Sequence, residues 1–172
     1  MGKSCYTQQD FYFCTMFKKQ LTPEQALQKL KQYCAYQERC HAEVVDKLYQ
    51  LGVWKKDHDP IIATLIEENY LNEERFAMAY AGGKHRMKQW GRVKIKYELK
   101  QKQVSHYSIN KALKQFEEEA YRQTLEKLAT DKYLLLKGEQ YLVRKKKTMD
   151  YLMQRGYEMD LITAIMNHLT KK

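Results

Sequence analysis

One segment near the middle of the chain is unusually basic. Residues 84–102 contain eight lysine or arginine residues and one acidic residue, Glu98. Ammonium and guanidinium groups at this density attract polyanions, or the acidic surface of another protein, by electrostatic attraction. The segment therefore predicts binding to nucleic-acid phosphate or to an acidic protein. The candidate binding residues are Lys84, Arg86, Lys88, Arg92, Lys94, Lys96, Lys100 and Lys102.

The charge imbalance is local. The formal net charge is +10, and residues 84–114 contain ten basic residues against one acid, whereas the rest of the chain holds 21 basic and 20 acidic residues. A local excess of this kind favours a binding surface over a generally basic composition. The alternative is a solvated helix face whose lysines keep the protein in solution and bind nothing. On the binding hypothesis, Arg92, Lys94 and Lys96 are expected to be exposed, so replacing all three by Glu is expected to abolish binding and to leave the helices intact.

Other kinds of site are not indicated. The five histidines form no HExxH pattern, and the chain has neither a complete glycine-rich phosphate loop nor a nucleophile elbow. His85 and His106 lie among basic residues and are interpreted as surface groups. The cysteines lack CxxC spacing, which disfavours a zinc site and a disulfide framework and predicts reduced thiols in the cytoplasm. We therefore predict no enzymatic activity, no catalytic residue, no metal and no cofactor. The four cysteines are Cys5, Cys14, Cys34 and Cys40.

The composition predicts an all-α protein. The apolar fraction of 44% is enough for a core, and the chain is rich in strong helix formers, with only 2 Pro and 7 Gly. Thr22 and Pro23 predict the start of a helix, and Gly52 predicts a left-handed helix end. No stretch approaches the ~18 apolar residues of a membrane span, so no membrane partner is expected. A helix from Asp59 is expected to bury Ile62, Leu65 and Ile66.

A repeated pattern organises the chain. The segments 47–53, 98–104 and 151–157 place a leucine, a glutamine and a final apolar residue in register, at offsets of about 51 and 53 residues. The leucines Leu48, Leu99 and Leu152 are therefore expected to be buried at equivalent positions. We predict three tandem three-helix repeats that form an elongated, curved, solenoid-like molecule. The predicted boundaries are 1–21 for an N-terminal appendage, then 22–71, 72–116 and 117–172 for the repeats.

Two elements that position the basic residues follow from this register. The stretch RVKIKYEL at 92–99 alternates polar and apolar residues, which is typical of a strand, but its alignment with the other repeats favours a helix. The preceding helix is expected to carry one apolar, mostly buried stripe, and its glycines Gly82 and Gly83 are expected to mark a kink or a close helix approach. The members of that stripe are Phe76, Tyr80, Gly83, Met87 and Trp90.

The sequence also resembles a known family. LIEENYLNEERFAMAY at 65–80, followed by WGRVKIKYELKQKQVS at 90–105, resembles the central motif of the RecX regulatory proteins. The resemblance covers residues 22–169 and is most specific from Leu65 to Val104. The sequence departs from the family pattern at LNEERF, where a double Asp is usual, and at Gln103, where Gly is common.

The resemblance implies a non-enzymatic modulator of the RecA recombinase. Such a protein binds RecA and its single-stranded DNA filament within the helical groove, and it most often suppresses ATP hydrolysis and strand exchange. The basic residues would then supply electrostatic attraction, with weak direct DNA binding as a further contact. The alternative from the residues themselves is a free-standing, largely non-specific DNA-binding helical protein. Nuclease treatment of a RecA pull-down would separate the two hypotheses.

Overall fold

The computed structural model describes residues 21–170, so the predicted N-terminal appendage lies almost wholly outside it. Over these residues the structure is α-helical, with one short 3-10 helix at Lys55–Asp57 and no strand. None of the helices in this range is long and apolar enough to cross a membrane. The helices are α1 Pro23–Tyr36, α2 His41–Gln50, α3 His58–Glu67, α4 Glu73–Lys88, α5 Arg92–Gln101, α6 His106–Lys114, α7 Glu118–Leu135, α8 Tyr141–Arg155 and α9 Met159–Thr170.

The helices divide into two compact units, with the boundary between Asn72 and Glu73. In the first unit, α1 begins as the sequence predicts. The Thr22 side chain accepts a hydrogen bond from the Gln25 backbone N–H, and the Gln25 side-chain oxygen accepts one from the Thr22 N–H. These reciprocal bonds satisfy two otherwise unpaired donors at the helix start. Helices α1, α2 and α3 then enclose a core that includes Leu30, Leu48 and Leu65.

The expected buried face of α3 is partly wrong. Leu65 is buried as predicted, but Ile66 is 46% exposed and Ile61, not Ile62, is buried with it. The physical reason lies at the start of the helix. His58 is buried, its Nε2 lies 3.1 Å from the Val53 carbonyl oxygen, and this contact fixes the rotation of α3 so that residues three and seven positions later face the core.

The three-helix repeat is confirmed in detail. Leu48, Leu99 and Leu152 are all fully buried. Four residues after each leucine the backbone is left-handed, with φ of 74° at Gly52, 59° at Gln103 and 84° at Gly156. The next residues, Val53, Val104 and Tyr157, each donate a backbone hydrogen bond to the carbonyl of that leucine. This bond and the left-handed residue form the same C-terminal helix stop three times. RVKIKYEL is accordingly helical, within α5.

The second unit contains two three-helix groups. Helix α4 packs against α5 and α6, and α5 also packs against α6. Helices α7, α8 and α9 pack against one another around a core in which Tyr121, Leu125 and Ile162 are fully buried. The basic segment lies at the end of α4 and along α5. Because α5 begins where the two groups touch, the contact between the groups helps to position this segment.

The two groups meet through direct backbone contact, which we call the repeat junction and define as Gly91, Arg92, Tyr121 and Gly156. The Gly91 N–H donates to the Arg155 carbonyl at 2.9 Å, and the Val93 N–H donates to the Gly156 carbonyl at 3.0 Å. A Cβ on Gly91 would lie 2.2 Å from the Gly156 oxygen, so a side chain cannot fit there.

The sequence predicts a kink or a close helix approach at Gly82 and Gly83, and the close approach is absent at Gly83. A Cβ on Gly83 would meet nothing within 4 Å, and the three atoms nearest to one on Gly82 belong to the Arg86 guanidinium, on its own helix. The close approach lies instead at the junction, because the hydrogen bonds between the groups require their backbones to touch.

Candidate binding surface

The candidate basic residues occupy three neighbouring positions in the second unit. Lys84, Arg86 and Lys88 lie on the last turns of α4. Lys94, Lys96 and Lys100 lie on α5, which begins at Arg92, and Lys102 caps its C-terminal end. Of the eight, the exposed ones are Arg86, Lys88, Lys96 and Lys100.

Three of the lysines surround one indole. The ammonium nitrogens of Lys84, Lys88 and Lys94 lie 5.2, 5.5 and 4.7 Å from the centroid of Trp90. Each distance is within the range over which a cation is attracted to the electron-rich face of an aromatic ring. The cluster therefore concentrates three positive charges around a half-buried aromatic side chain.

The alternation of lysine and aromatic ring continues along α4. The Lys84 ammonium is also 4.9 Å from the centroid of Tyr80, and the Lys102 ammonium approaches that ring to 5.6 Å. Tyr80 in turn packs against buried Phe76, with ring centroids 5.7 Å apart. We use the name basic-aromatic strip for the rings of Tyr80 and Trp90 together with the candidate lysines at the end of α4 and on α5, of which Lys96 and Lys100 are exposed and make no ring contact among the described residues. Its members are Tyr80, Lys84, Lys88, Trp90, Lys94, Lys96, Lys100 and Lys102.

The sequence placed Trp90 on the buried stripe of α4, together with Met87. The helix ends at Lys88, and Gln89 adopts a left-handed conformation with φ of 52°, so Trp90 leaves the helical register. Met87 is 87% exposed, which makes its predicted burial wrong. Lys84 follows Tyr80 by four residues, which places the two side chains on the same face of a helix. This spacing was visible in the sequence and could have predicted that the Tyr80 ring lies beside a lysine.

His85 holds Trp90 in place. Its Nδ1 lies 3.0 Å from the Trp90 carbonyl oxygen, which can only accept a hydrogen bond, so Nδ1 is the donor. The imidazole also packs against Phe116 and Tyr121, at centroid distances of 4.8 and 5.4 Å. The sequence interpretation treated His85 as a surface group, and that was wrong. It is a half-buried link between α4 and α7.

Arg92 has a different environment from the lysines. Its guanidinium donates a 2.7 Å hydrogen bond to Glu118 Oε2, lies 3.7 Å from Glu158 Oε1, and covers the Tyr121 ring at 4.2 Å. The side chain is only 22% exposed. The expectation that Arg92 is an exposed residue is therefore wrong, because two acids from the other three-helix group neutralise it within the fold.

Glu118, Glu158 and the Tyr121 phenol form one hydrogen-bonded network with Arg92. The Tyr121 hydroxyl accepts from the Arg92 backbone N–H at 3.0 Å and donates to Glu158 Oε2 at 2.7 Å. The hydrogen bond from Arg92 lowers the pKa of the Glu118 carboxyl, and burial raises the pKa of Tyr121 above its ordinary value. At neutral pH the two shifts therefore keep the Glu118 carboxyl ionised and the Tyr121 hydroxyl protonated, as the hydrogen bonds of the network require.

Lys94 lies between the two environments. Its ammonium group donates to the Gln154 carbonyl at 3.2 Å while it approaches Trp90, and it is half-buried. Its chain also runs past Gly156, where an added Cβ would lie 2.2 Å from Lys94 Cβ. The expectation that Arg92, Lys94 and Lys96 form an equally exposed set therefore holds only for Lys96.

The arrangement brings positive charge and aromatic rings together. Exposed lysines attract phosphates or carboxylates, and half-buried rings beside them can stack on unpaired bases, which all present an aromatic face. The repeat junction does not attract an anion in this way, because the Arg92 guanidinium already has two carboxylate partners, Glu118 and Glu158. Arg92 is therefore set apart from the exposed candidates Arg86, Lys88, Lys96 and Lys100, which present positive charge at the surface.

Comparison with known proteins agrees with the repeat architecture. A model of the second three-helix domain of RecX matches residues 72–113, and a model of the third three-helix domain of RecX matches residues 119–166. The regulatory protein RecX of Clostridium perfringens strain 13 is 35% identical over 131 residues, which cover 74% of this chain and 60% of that protein. The chain spans about 60% of the length of the relatives it matches first.

Solved structures agree with the fold. A crystal structure of regulatory protein RecX superposes with a TM-score of 0.78 at 20% identity, covering 97% of this chain and 81% of the other. The crystal structure of RecX from Lactobacillus salivarius gives a TM-score of 0.78 at 23% identity, with 87% and 97% covered. At these identities the likeness concerns the fold alone.

Proposed function

Because the chain belongs to the RecX family, we propose that it is a non-enzymatic regulator of the RecA recombinase. It binds RecA, or the filament that RecA forms on single-stranded DNA, and inhibits ATP hydrolysis and strand exchange by that filament. It acts in the cytoplasm. The role is one of binding, in which no side chain of this protein makes or breaks a bond.

The observation that carries this proposal is the basic-aromatic strip. Lys84, Lys88 and Lys94 lie beside the ring of Trp90, and Lys88, Lys96 and Lys100 are exposed, so positive charge is presented at the surface to a partner. A filament offers two matching surfaces, which are the phosphates of single-stranded DNA and acidic protein surface. Lys96 and Lys100 make the electrostatic approach, while the rings give the surface a preference for unpaired bases.

The test uses lysine-to-glutamine variants, which remove charge without adding the opposite sign. K88Q/K96Q/K100Q changes three exposed residues of the strip. The matched control, K29Q/K114Q/K127Q, removes the same charge from exposed residues outside it. Filament binding and inhibition of RecA ATPase are measured for both variants and for the wild type. We expect the strip variant to lose about tenfold or more in affinity and the control to stay near wild type.

Two results would contradict the proposal. A wild-type protein that neither binds RecA filaments nor changes their ATPase activity would overturn the regulatory function itself. Equal losses in the strip variant and the control would show that net charge alone matters and that the strip is a solvated face.

A free-standing DNA-binding protein is the second candidate, because the same strip suits a single strand without RecA. The two candidates differ in what remains after DNA is removed. If the protein retains RecA after nuclease treatment, the regulator is supported. If it loses RecA but binds bare single-stranded DNA with similar affinity, the second candidate is correct.

A further inference from the structure

A second exposed surface lies at the end of the α7–α8 hairpin, far along the chain from the strip. Four large apolar side chains flank the turn and are exposed, although their neighbours on the same helices form the core. Leu134 and Leu135 end α7 at 58% and 77% exposure, and Tyr141 and Leu142 begin α8 at 50% and 74%. We call these four residues the hairpin tip. Adjacent exposed apolar residues of this size are typical of interaction sites.

The segment that contains the tip is basic. Residues 132–147 contain six lysine or arginine residues and one acid, Glu139. The Glu139 carboxylate is paired with Lys147 at 2.6 Å, so it does not offset the other cations. The surface therefore combines apolar contact area with a basic rim, which is complementary to an apolar surface bordered by acids.

The hairpin holds this surface in a defined shape. Arg144 Nε donates to the Tyr133 carbonyl at 2.6 Å, and its guanidinium lies 3.5 Å from the centroid of the Tyr133 ring. The turn itself is closed by the Lys137 N–H, which bonds to the Leu134 carbonyl at 3.0 Å. A surface ordered before binding loses less conformational entropy when a partner docks.

We propose that the hairpin tip is a second docking surface, and that it binds an apolar, acid-bordered face of a protein partner. The inference rests on the proposed function, under which that partner is RecA. The tip and the basic-aromatic strip share no residue. The protein would then contact its target at two separate places on the second unit, one mainly electrostatic and one mainly apolar.

Two other occupants fit less well. A second copy of the chain would bring a second basic rim against the first, and like charges oppose that pairing. A flat lipid surface would meet the turn first, because the exposed polar residues 137–140 lie between the two apolar pairs. The polar turn would have to be buried before the leucines reached the acyl chains. A shaped protein surface can contact the sides of the hairpin and leave the turn in water.

The experiment measures binding of the full chain to RecA filaments. L135S/L142S removes the two most exposed tip leucines, and Y36S is the matched control, since Tyr36 is 87% exposed in the first unit. K146E tests the basic rim, with K127E as its control on α7, because both lysines are exposed. We expect L135S/L142S and K146E each to weaken binding about tenfold, and both controls and the conservative L142M to stay near wild type. Thermal melting checks that every variant folds.

Each contrary result has its own meaning. If the wild type does not bind RecA, the proposed function fails and this inference fails with it. If the wild type binds and L135S/L142S binds equally well, only the tip proposal is overturned. It is also overturned if L135S/L142S leaves RecA binding intact but abolishes binding to phosphatidylglycerol vesicles or dissolves a dimer of the chain. Those results would assign the tip to a membrane or to self-association.

Discussion

The repeat junction and the basic-aromatic strip come from the same basic segment, yet they use positive charge in opposite ways. Arg92 faces Glu118 and Glu158, and its charge is neutralised within the fold. The lysines a few residues away face Tyr80 and Trp90, which attract cations without neutralising them. Charge density in a sequence therefore marks a basic segment, but the partner of each group decides whether that charge stabilises the protein or remains available for binding.

The largest expected effect is at the close backbone approach of the junction. Gly156→Ala would place a Cβ 2.2 Å from Lys94 Cβ at a φ of +84°, so the two three-helix groups would have to separate. We expect a loss of about 3 kcal/mol or more in the free energy of unfolding, measured by chemical denaturation. Gly83→Ala is the control, since nothing lies within 4 Å of its added Cβ. It should leave stability unchanged or raise it by up to about 1 kcal/mol.

Charge reversal separates the two regions more directly. Arg92→Glu would place a third carboxylate against Glu118 and Glu158, and we expect it to cost about 2–3 kcal/mol of unfolding free energy. Lys96→Glu, on the exposed face of the same helix, should change stability by no more than about 0.5 kcal/mol. Denaturation curves with equal midpoints for the two variants would show that Arg92 has no special structural role.

Removing the hydroxyl from each of two buried tyrosines of the second unit is expected to give a smaller difference in the free energy of unfolding. The Tyr121 hydroxyl bridges the Arg92 N–H and Glu158, whereas the buried Tyr157 hydroxyl has no hydrogen-bond partner among the described residues. Tyr121→Phe is expected to cost about 1–3 kcal/mol, because it leaves the partners of the hydroxyl unsatisfied. Tyr157→Phe should be neutral or slightly stabilising, since it removes a buried polar atom that makes no bond. A larger loss for Tyr157→Phe than for Tyr121→Phe would contradict the network.

The same tyrosines predict a decline of stability at alkaline pH, with no effect near neutrality. Burial raises the pKa of Tyr157 to about 12 and that of Tyr121 above its ordinary value. Above a pH of about 10 the unfolded chain releases these protons while the folded chain keeps them, so stability falls as the pH rises. Tyr157→Phe should flatten the decline measured by denaturation between pH 9 and 11.5. Tyr36→Phe should not, because Tyr36 is 87% exposed in the folded protein.

The repeat architecture could be predicted because its determinants are local. A buried leucine and a left-handed residue four positions later recur at fixed spacing, and even Gln103 adopts the conformation for which glycine is usual. The rotation of α3 was missed because a buried histidine sets it, and His58 has no periodic signal. The role of Arg92 was missed because its hydrogen-bonded acid lies 26 residues away on another helix. Pairings of that kind depend on tertiary packing and leave no local pattern.

The sequence places the candidate binding set in one basic segment, but it does not resolve that segment into groups with different environments. Lysines and aromatic rings were visible in the sequence, but the left-handed turn at Gln89 that brings Trp90 beside Lys84 and Lys94 was not. The surface depends on that turn and on His85, whose imidazole holds the Trp90 carbonyl. Whether the strip binds a partner remains a prediction.

The salt dependence of filament binding tests the central claim most directly. The affinity for RecA filaments on single-stranded DNA is measured at several salt concentrations for the wild type, K88Q/K96Q/K100Q and K29Q/K114Q/K127Q. Each lost phosphate contact should reduce the slope of log affinity against log salt by about 0.7, and contacts to acidic protein surface are screened in the same direction. We expect a clearly shallower slope for the strip variant alone. Equal slopes and equal affinities for all three proteins would show that the strip is a solvated face.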